Sequence, residues 1–598
     1  MRVVVKYFQV FRVMPQVMIP VFLNVMLLAF LAGCQSLDTP TAHLPLTPSP
    51  ITTDTDDAQP TAFIPGSSPS PASAFLLAQR ASRDSDMALA ADQFTHVLLT
   101  DPDNMDLLEM SFRAHYIEGN IDHAAALASR AQQSGQFLAY GSEPALILAF
   151  DAQDWSGALV VADGLLEDSA TQPMGVVMGA WALALQDQGD AGLTRLKELQ
   201  TPLKDEWPPA FWTQSALLSE YLSRPMDALE AARRAMNHPN LDTLSAMAMA
   251  GVMARQGERQ EAKILLLPYL GSYLDRDGVL SSLEQGSSPL FEKPSLETLL
   301  AKAIIDASGI RTSLPSSESA RLHLAKRIAP DFDMINYLLG LYYIDIERHD
   351  LARIYHDQID EASVWHHPTQ FIKARFMGAE SDEALFREAI GIFDRLVTVD
   401  ANNPALWMQK GHTARWNGDY DTALNAYNKA LSLTPENARL HYYRGLALDQ
   451  LDQKDAAEAA LRQSLALDGG DAYALNYLGY WLLEEGGDAE EALGFIRDAI
   501  EKQPDNGYFM DSLGWGYFKL GDLDQALVFM EKAVILRPVD PLITDHLGDV
   551  YAALDRWHEA VFQWQRALDL IKEGQTADGL TLDMLTEKIQ RAQVKSTP

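Results

Sequence analysis

Groupings of residues that could carry chemistry are few in this sequence, and each fails on spacing. His558-Glu559 has Phe562 where a zinc hydrolase helix needs its second histidine, so the pair reads as an exposed helix turn. Gly514-Trp515-Gly516 is followed by a helical pattern in place of the further glycine of a dinucleotide loop. His366-His367 beside Pro368 offers two imidazoles to a metal, but no third ligand stands at a suitable spacing, and it reads as a loop pair. Neither a phosphate loop nor a Gly-x-Ser-x-Gly elbow occurs. With 82 Asp and Glu in the chain, carboxylate pairs carry no information. The expectation is a protein without catalytic residues, metal, cofactor or small-molecule substrate.

One reactive group remains. Cys34 is the only cysteine, which excludes an internal disulfide. It follows Arg2, Lys6 and Arg12 and the apolar stretch Val17 to Leu31, in the run Leu31-Ala32-Gly33-Cys34. An apolar run of about 15 residues behind a basic segment fits a secretory signal better than an uncleaved membrane helix. The run resembles the bacterial lipobox, which implies a diacylglyceryl thioether on Cys34 after removal of residues 1–33. Gln35 stands where, by the same resemblance, an aspartate retains lipoproteins in the inner membrane. The implied location is the outer membrane, lipid-anchored and facing the periplasm, held stably by several acyl chains. Residues 34–70 are rich in Pro, Thr and Ser and poor in large apolar residues, so they are expected to form a disordered tether.

What positions the remaining side chains is a repeat. Blocks beginning at Pro404, Ala438, Ala472, Gly507 and Pro541 recur about every 34 residues and share a glycine at the eighth place: Gly411, Gly445, Gly479, Gly514 and Gly548. Ala423, Ala457, Ala492, Ala526 and Ala560 open a second helix in each, and Pro435, Pro504 and Pro538 follow its end. This resembles the tetratricopeptide pattern, which implies an all-α fold: a superhelical solenoid in which stacked units bury what one unit cannot. The third block holds one extra residue around Gly486-Gly487, lengthening its inter-helix turn. Upstream the pattern weakens, but Ala90, Ala124, Ala158, Ala228, Ala262 and Ala352 mark second helices. The expected organisation is a degenerate array over 71–276, an irregular loop with connecting helices over 277–332, a second array over 333–574, and a capping helix with tail over 575–598. The net charge of −35 disfavours nucleic acid and favours basic partners.

Binding then falls to the first helix of each unit, at places facing the concave wall. The candidate partner-binding residues are His412, Tyr442, Tyr473, Asn476, Tyr480, Tyr508, Asp511, Trp515, Asp545 and Asp549. The lysine and asparagine set that clamps a terminal carboxylate in some members of this fold is missing. The set suits a peptide or helix with apolar anchors and basic flanks. Tyr480 and Trp515 lead it; the alternative is that they pack between adjacent repeats. If Trp515 is a groove contact, Trp515→Ala weakens binding and leaves thermal stability nearly intact.

Asn476-Tyr477-Leu478-Gly479-Tyr480, Asp511-Ser512-Leu513-Gly514-Trp515 and Asp545-His546-Leu547-Gly548-Asp549-Val550-Tyr551 are similar to the consecutive signatures of long proteobacterial tetratricopeptide lipoproteins. One type in that group is the outer-membrane adaptor of a periplasmic carboxyl-terminal processing protease. The resemblance implies a non-enzymatic scaffold that delivers peptidoglycan hydrolases to such a protease. The alternative is an envelope assembly or secretin pilot lipoprotein.

Overall fold

A computed structural model describes residues 70–595, apart from 200–207, 271–275, 288–293, 310–314, 380–381, 576 and 578. The signal segment, Cys34 and the tether up to residue 69 lie outside the described residues. The described chain forms two compact units, 70–370 and 371–595.

The first unit comprises α1 (Pro71–Arg83), α2 (Met87–Thr100), α3 (Met105–Glu118), α4 (Ile121–Gln133), α5 (Ser142–Asp151), α6 (Trp155–Gly164), α7 (Gln172–Ala184), α8 (Gly189–Arg195), α9 (Pro209–Tyr221), α10 (Pro225–Met236), α11 (Thr243–Arg255), α12 (Arg259–Leu266), α13 (Arg276–Glu284), α14 (Leu296–Gly309), α15 (Pro315–Ile328), α16 (Asp333–Asp345) and α17 (His349–His356). The division falls inside α18 (His366–Met377). The second unit continues with α19 (Glu383–Val399), α20 (Pro404–Trp416), α21 (Tyr420–Leu433), α22 (Ala438–Gln450), α23 (Lys454–Leu467), α24 (Ala472–Glu484), α25 (Ala489–Lys502), α26 (Gly507–Lys519), α27 (Leu523–Leu536), α28 (Pro541–Ala553), α29 (Trp557–Lys572) and α30 (Leu582–Lys595).

In the second unit the repeat becomes five antiparallel helix pairs, α20/α21 to α28/α29. Asn403, Asp419, Asn437, Asp471, Asp488, Asn506, Asp522 and Asp540 each accept a backbone N–H at a helix start. Each such cap stabilises its helix by about 1 kcal/mol. Part of the chain's acidity is therefore structural. The turn between paired helices needs one residue in the left-handed region, supplied by Gly418, Gly486 and Gly521, and by Asp452 and Asp555. Gly487 is the extra residue of the third block, inserted between Gly486 and the cap Asp488, so that turn is the longer one.

The eighth-place glycine is a close-approach site. A Cβ on Gly479 would lie 2.6 Å from the Ala492 carbonyl oxygen of the paired helix, and one on Gly548 would lie 2.5 Å from the Trp564 indole. At the end of the stack α30 buries Leu585, Ile589 and Ala592 against the last pair, as a solenoid end requires.

The first unit uses the same packing with other residues. Ala90, Ala124, Ala158, Ala228, Ala262 and Ala352 are all buried in second helices. The pair α7/α8 has no such alanine; Gly192 takes its place, with the Ala180 carbonyl oxygen 2.6 Å from where its Cβ would be. Among the described residues of 277–332, α13 buries Val279 and Leu283, and α14 and α15 pair as a hairpin. Gly286, in the left-handed region, follows the end of α13, and the compact units divide at Gln370/Phe371.

That hairpin lies on the inner wall of the first unit. α14 packs on α7 and α9, and α15 on α3 and α5, all first helices of their pairs. Buried charges lock it there. Arg321 of α15 makes two hydrogen bonds to the Glu143 carboxylate at 2.7 and 3.2 Å and a third to the Ala170 carbonyl at 3.1 Å, and the Tyr116 hydroxyl donates to the same carboxylate. Lys302 of α14 bonds Asp306 and, at 3.1 Å, the Ser245 hydroxyl. Asp306 also accepts from Gln214 at 2.6 Å, and Gln214 accepts from the Trp181 indole at 2.9 Å. Burial opposes the Arg321 charge, yet Glu143 raises its pKa above the ordinary guanidinium value.

Candidate functional site

The wall formed by α20, α22, α24, α26 and α28 holds the candidate binding residues. From α22 onwards its polar side chains reach from one first helix to the next. The Tyr477 hydroxyl and the Trp481 indole both donate to Asp449 at 2.8 Å. Trp515 donates its indole N–H to Glu484 at 3.0 Å, and Lys519 pairs with the same carboxylate at 2.7 Å. The His546 Nδ1–H donates to Asp511 at 2.9 Å. Finally Lys588 of α30 donates to both oxygens of Asp545 and to Asp549, each at 2.8 Å.

These bonds change the electrostatics expected of the wall. Burial disfavours the His546 imidazolium, but Asp511 outweighs it and the histidine's pKa is raised. Its ring stacks on Trp515, with centroids 4.1 Å apart and planes at 18°, a geometry that favours the charged form further. Burial also works against the Glu484 carboxylate, yet Lys519 and Trp515 hold its pKa below the ordinary value. Acids expected to await a basic partner are thus already engaged inside the protein.

Tyr480, Asp511 and Trp515 come together, joined by Glu484 and His546. Trp515 is half-buried, stacked on Phe518 as well as on His546, and so bridges three repeats. Asp545 and Asp549 form a second group around Lys588. Asn476 is half-buried, and its side-chain oxygen is buried with no hydrogen-bond partner. Tyr473 is 39% exposed, edge-on to Phe509 at 5.5 Å, and Tyr508 lies under the Arg537 guanidinium at 4.6 Å. Tyr442 packs edge-on against Tyr477. His412 is a core residue: it is buried, bonds the Tyr427 hydroxyl at 2.9 Å and meets the Tyr443 ring at 4.3 Å. Burial drives its pKa down to about 3, so it sits neutral in an aromatic cluster away from the wall surface.

Asp449, Tyr477, Trp481, Glu484, Lys519, His546 and Lys588 of this arrangement were not among the candidates. Glu484 was accessible to sequence reasoning, since an acid near the end of one first helix faces the ninth place of the next. Lys588 was not, because α30 lies outside the repeat register. His366 and His367 open α18 and do not form a loop pair. Among the described residues no group of three His, Cys, Asp or Glu side chains is arranged to hold a metal.

The profile described as TPR repeat matches residues 411–452, and that described as tetratricopeptide repeat matches 449–507. The chain is a tetratricopeptide-repeat protein. The BBSome complex member BBS4 of Bos taurus is 24% identical to it over 214 residues, which are 35% of this chain and 40% of that protein. The match therefore spans less than half of that relative. A TPR repeat-containing protein of Pseudomonas aeruginosa is 30% identical over 105 residues, 18% of each chain. Among solved structures, the APC/C hetero-tetramer Cut9-Hcn1 is 17% identical, covering 88% of this chain and 96% of that one with a TM-score of 0.34. A tetratricopeptide-repeat protein from Parabacteroides merdae is 16% identical, covering 44% and 98% with a TM-score of 0.36. Tetratricopeptide repeats are protein-binding scaffolds, and this chain is one by its repeats.

Proposed function

We propose that this tetratricopeptide-repeat protein is a non-enzymatic adaptor, anchored by lipid at Cys34 to the periplasmic side of an outer membrane. In this reading it holds a carboxyl-terminal processing protease together with peptidoglycan hydrolases that the protease degrades. The observation that carries the binding role is the half-open face of α24 and α26, where Tyr473, Asn476, Tyr480 and Trp515 present aromatic and amide groups on a rigid stack. The anchor rests on Leu31-Ala32-Gly33-Cys34. Holding two partners on one tethered scaffold raises the concentration of each for the other to roughly millimolar.

The experiment is capture of partners by full-length protein in its own cells, wild type against Cys34→Ser. Wild type should float with outer membranes and retain a periplasmic serine protease and cell-wall hydrolases, identified by mass spectrometry. Cys34→Ser should lose the membrane and keep the partners in extract. Recovery of an outer-membrane channel alone would replace the adaptor reading with an assembly role.

A further inference from the structure

The end of the second unit carries a cleft of about 600 Å³ between α26, α28, α29 and α30, which shares Phe518 with the group centred on Trp515 and Asp549 and Lys588 with the second group. Its floor is apolar, made by Phe518, Trp557, Trp564 and Ala592. Its rim carries three cations, Lys588, Arg591 and Lys595, which recur on one face of α30, and one acid, Asp549 of α28. Lys595 stands 4.3 Å above the Trp557 ring. Lys588 is engaged by Asp545 and Asp549 and keeps the inner end polar; the Arg591 side chain, 74% exposed, pairs with Glu587 one turn earlier on the same helix, an exposed pair that a partner's carboxylate can replace. A patch of this sign is notable on a chain of net charge −35, whose general field repels acidic partners.

We propose that this cleft is a docking site for an acidic peptide segment that inserts one bulky apolar side chain between Trp557 and Trp564. Charge complementarity selects the partner: the rim attracts carboxylates and the background rejects acidic segments that lack the apolar anchor. The anchor gains the buried contact area, and the Arg591 and Lys595 pairs set orientation and association rate. The expected partner surface is therefore the opposite in sign to one deduced from net charge. The inference rests on the scaffold reading, but not on the anchor or on the named partners.

The test is fluorescence anisotropy of full-length protein with a labelled octapeptide of aspartate and glutamate around a central phenylalanine. Two controls replace the phenylalanine by serine and all acids by lysine. The acidic phenylalanine peptide should bind and quench tryptophan emission. Both control peptides should bind at least about tenfold more weakly, and so should the exposed double variant Arg591→Glu/Lys595→Glu with the original peptide. Melting by circular dichroism checks that the double variant stays folded. Equal binding of the lysine peptide, or full binding by the double variant, overturns the site. Loss of partners from extract with peptide binding intact would instead count against the adaptor reading.

Discussion

Arg321→Met tests whether the inner wall of the first unit is held shut by its own hairpin. The Arg321 and Glu143 side chains are 3% and 0% exposed, so the wild-type pair is dry. Methionine keeps much of the length and volume of arginine, so packing changes little. What it removes is the charge and three hydrogen bonds, leaving the Glu143 carboxylate with the Tyr116 hydroxyl alone. Breaking one half of a buried pair costs about 3–5 kcal/mol. With a urea slope of about 3 kcal/mol per molar, a loss of about 4 kcal/mol lowers the midpoint by about 1.3 M. Repeat arrays unfold by parts, so hydrogen exchange read by mass spectrometry is the sharper assay. Amides of α15 and of α3 and α5 should exchange faster, while α22 to α28 stay protected. The double variant Glu143→Gln/Arg321→Met should regain part of the loss, because no charge is then left unpaired. A loss below about 1 kcal/mol, or unchanged protection of α15, would refute the claim that this pair pins the hairpin.

Gly479→Ala should lower stability by about 1–3 kcal/mol in calorimetry, since its Cβ meets a backbone carbonyl, whereas Gly494→Ala, with open space at its Cβ, should raise it by up to about 1 kcal/mol. Acid should destabilise both units: the pKa values of His412 and His323 are lowered by burial to about 3 and about 4, so stability present above pH 6.5 drains away as pH falls towards those values. Denaturation midpoints between pH 7 and 4 check this, and His412→Gln should flatten the fall in the second unit. His546 has the reverse sign: its raised pKa favours the fold below pH 6.5, and that contribution is lost as pH rises through the folded value, which an NMR titration of its ring reads directly. Trp515→Ala should cost about 2 kcal/mol or more, not leave stability intact, because it removes the Glu484 bond and two stacking contacts. A melting temperature within a degree of wild type would restore the simple groove reading.

Legibility followed the strength of local constraint. The eighth-place glycines and the alanines that open the second helices are dictated by contacts within one unit, so their spacing exposes them: Gly479 must be small because Ala492 is a fixed distance along the same pair. The groove-filling hairpin was invisible because the partners that hold it are remote in sequence. Nothing near Arg321 indicates Glu143, 178 residues earlier, and buried Lys302 and Asp306 look like an ordinary surface pair one turn apart. The candidate wall was legible as a surface but not as a circuit. Place numbering put Asp511, Asp545 and Asp549 on the right face, and it could not say that His546 and Lys588 had already claimed them.

Those two findings alter where a partner can act. A wall filled by its own helices and closed by buried charge pairs offers a partner little apolar surface. A wall whose acids are spent on neighbouring repeats offers little charge. In the second unit groups with capacity to spare are of other kinds: the exposed Tyr473 ring, the unpaired Asn476 oxygen, and the aromatic cleft beside Lys595. The overall charge of −35 is then a poor guide to specificity, since much of it caps helices and links repeats. Recognition by such a scaffold depends on the few places where the internal bonding of the stack is incomplete, and those lie towards its last three repeats.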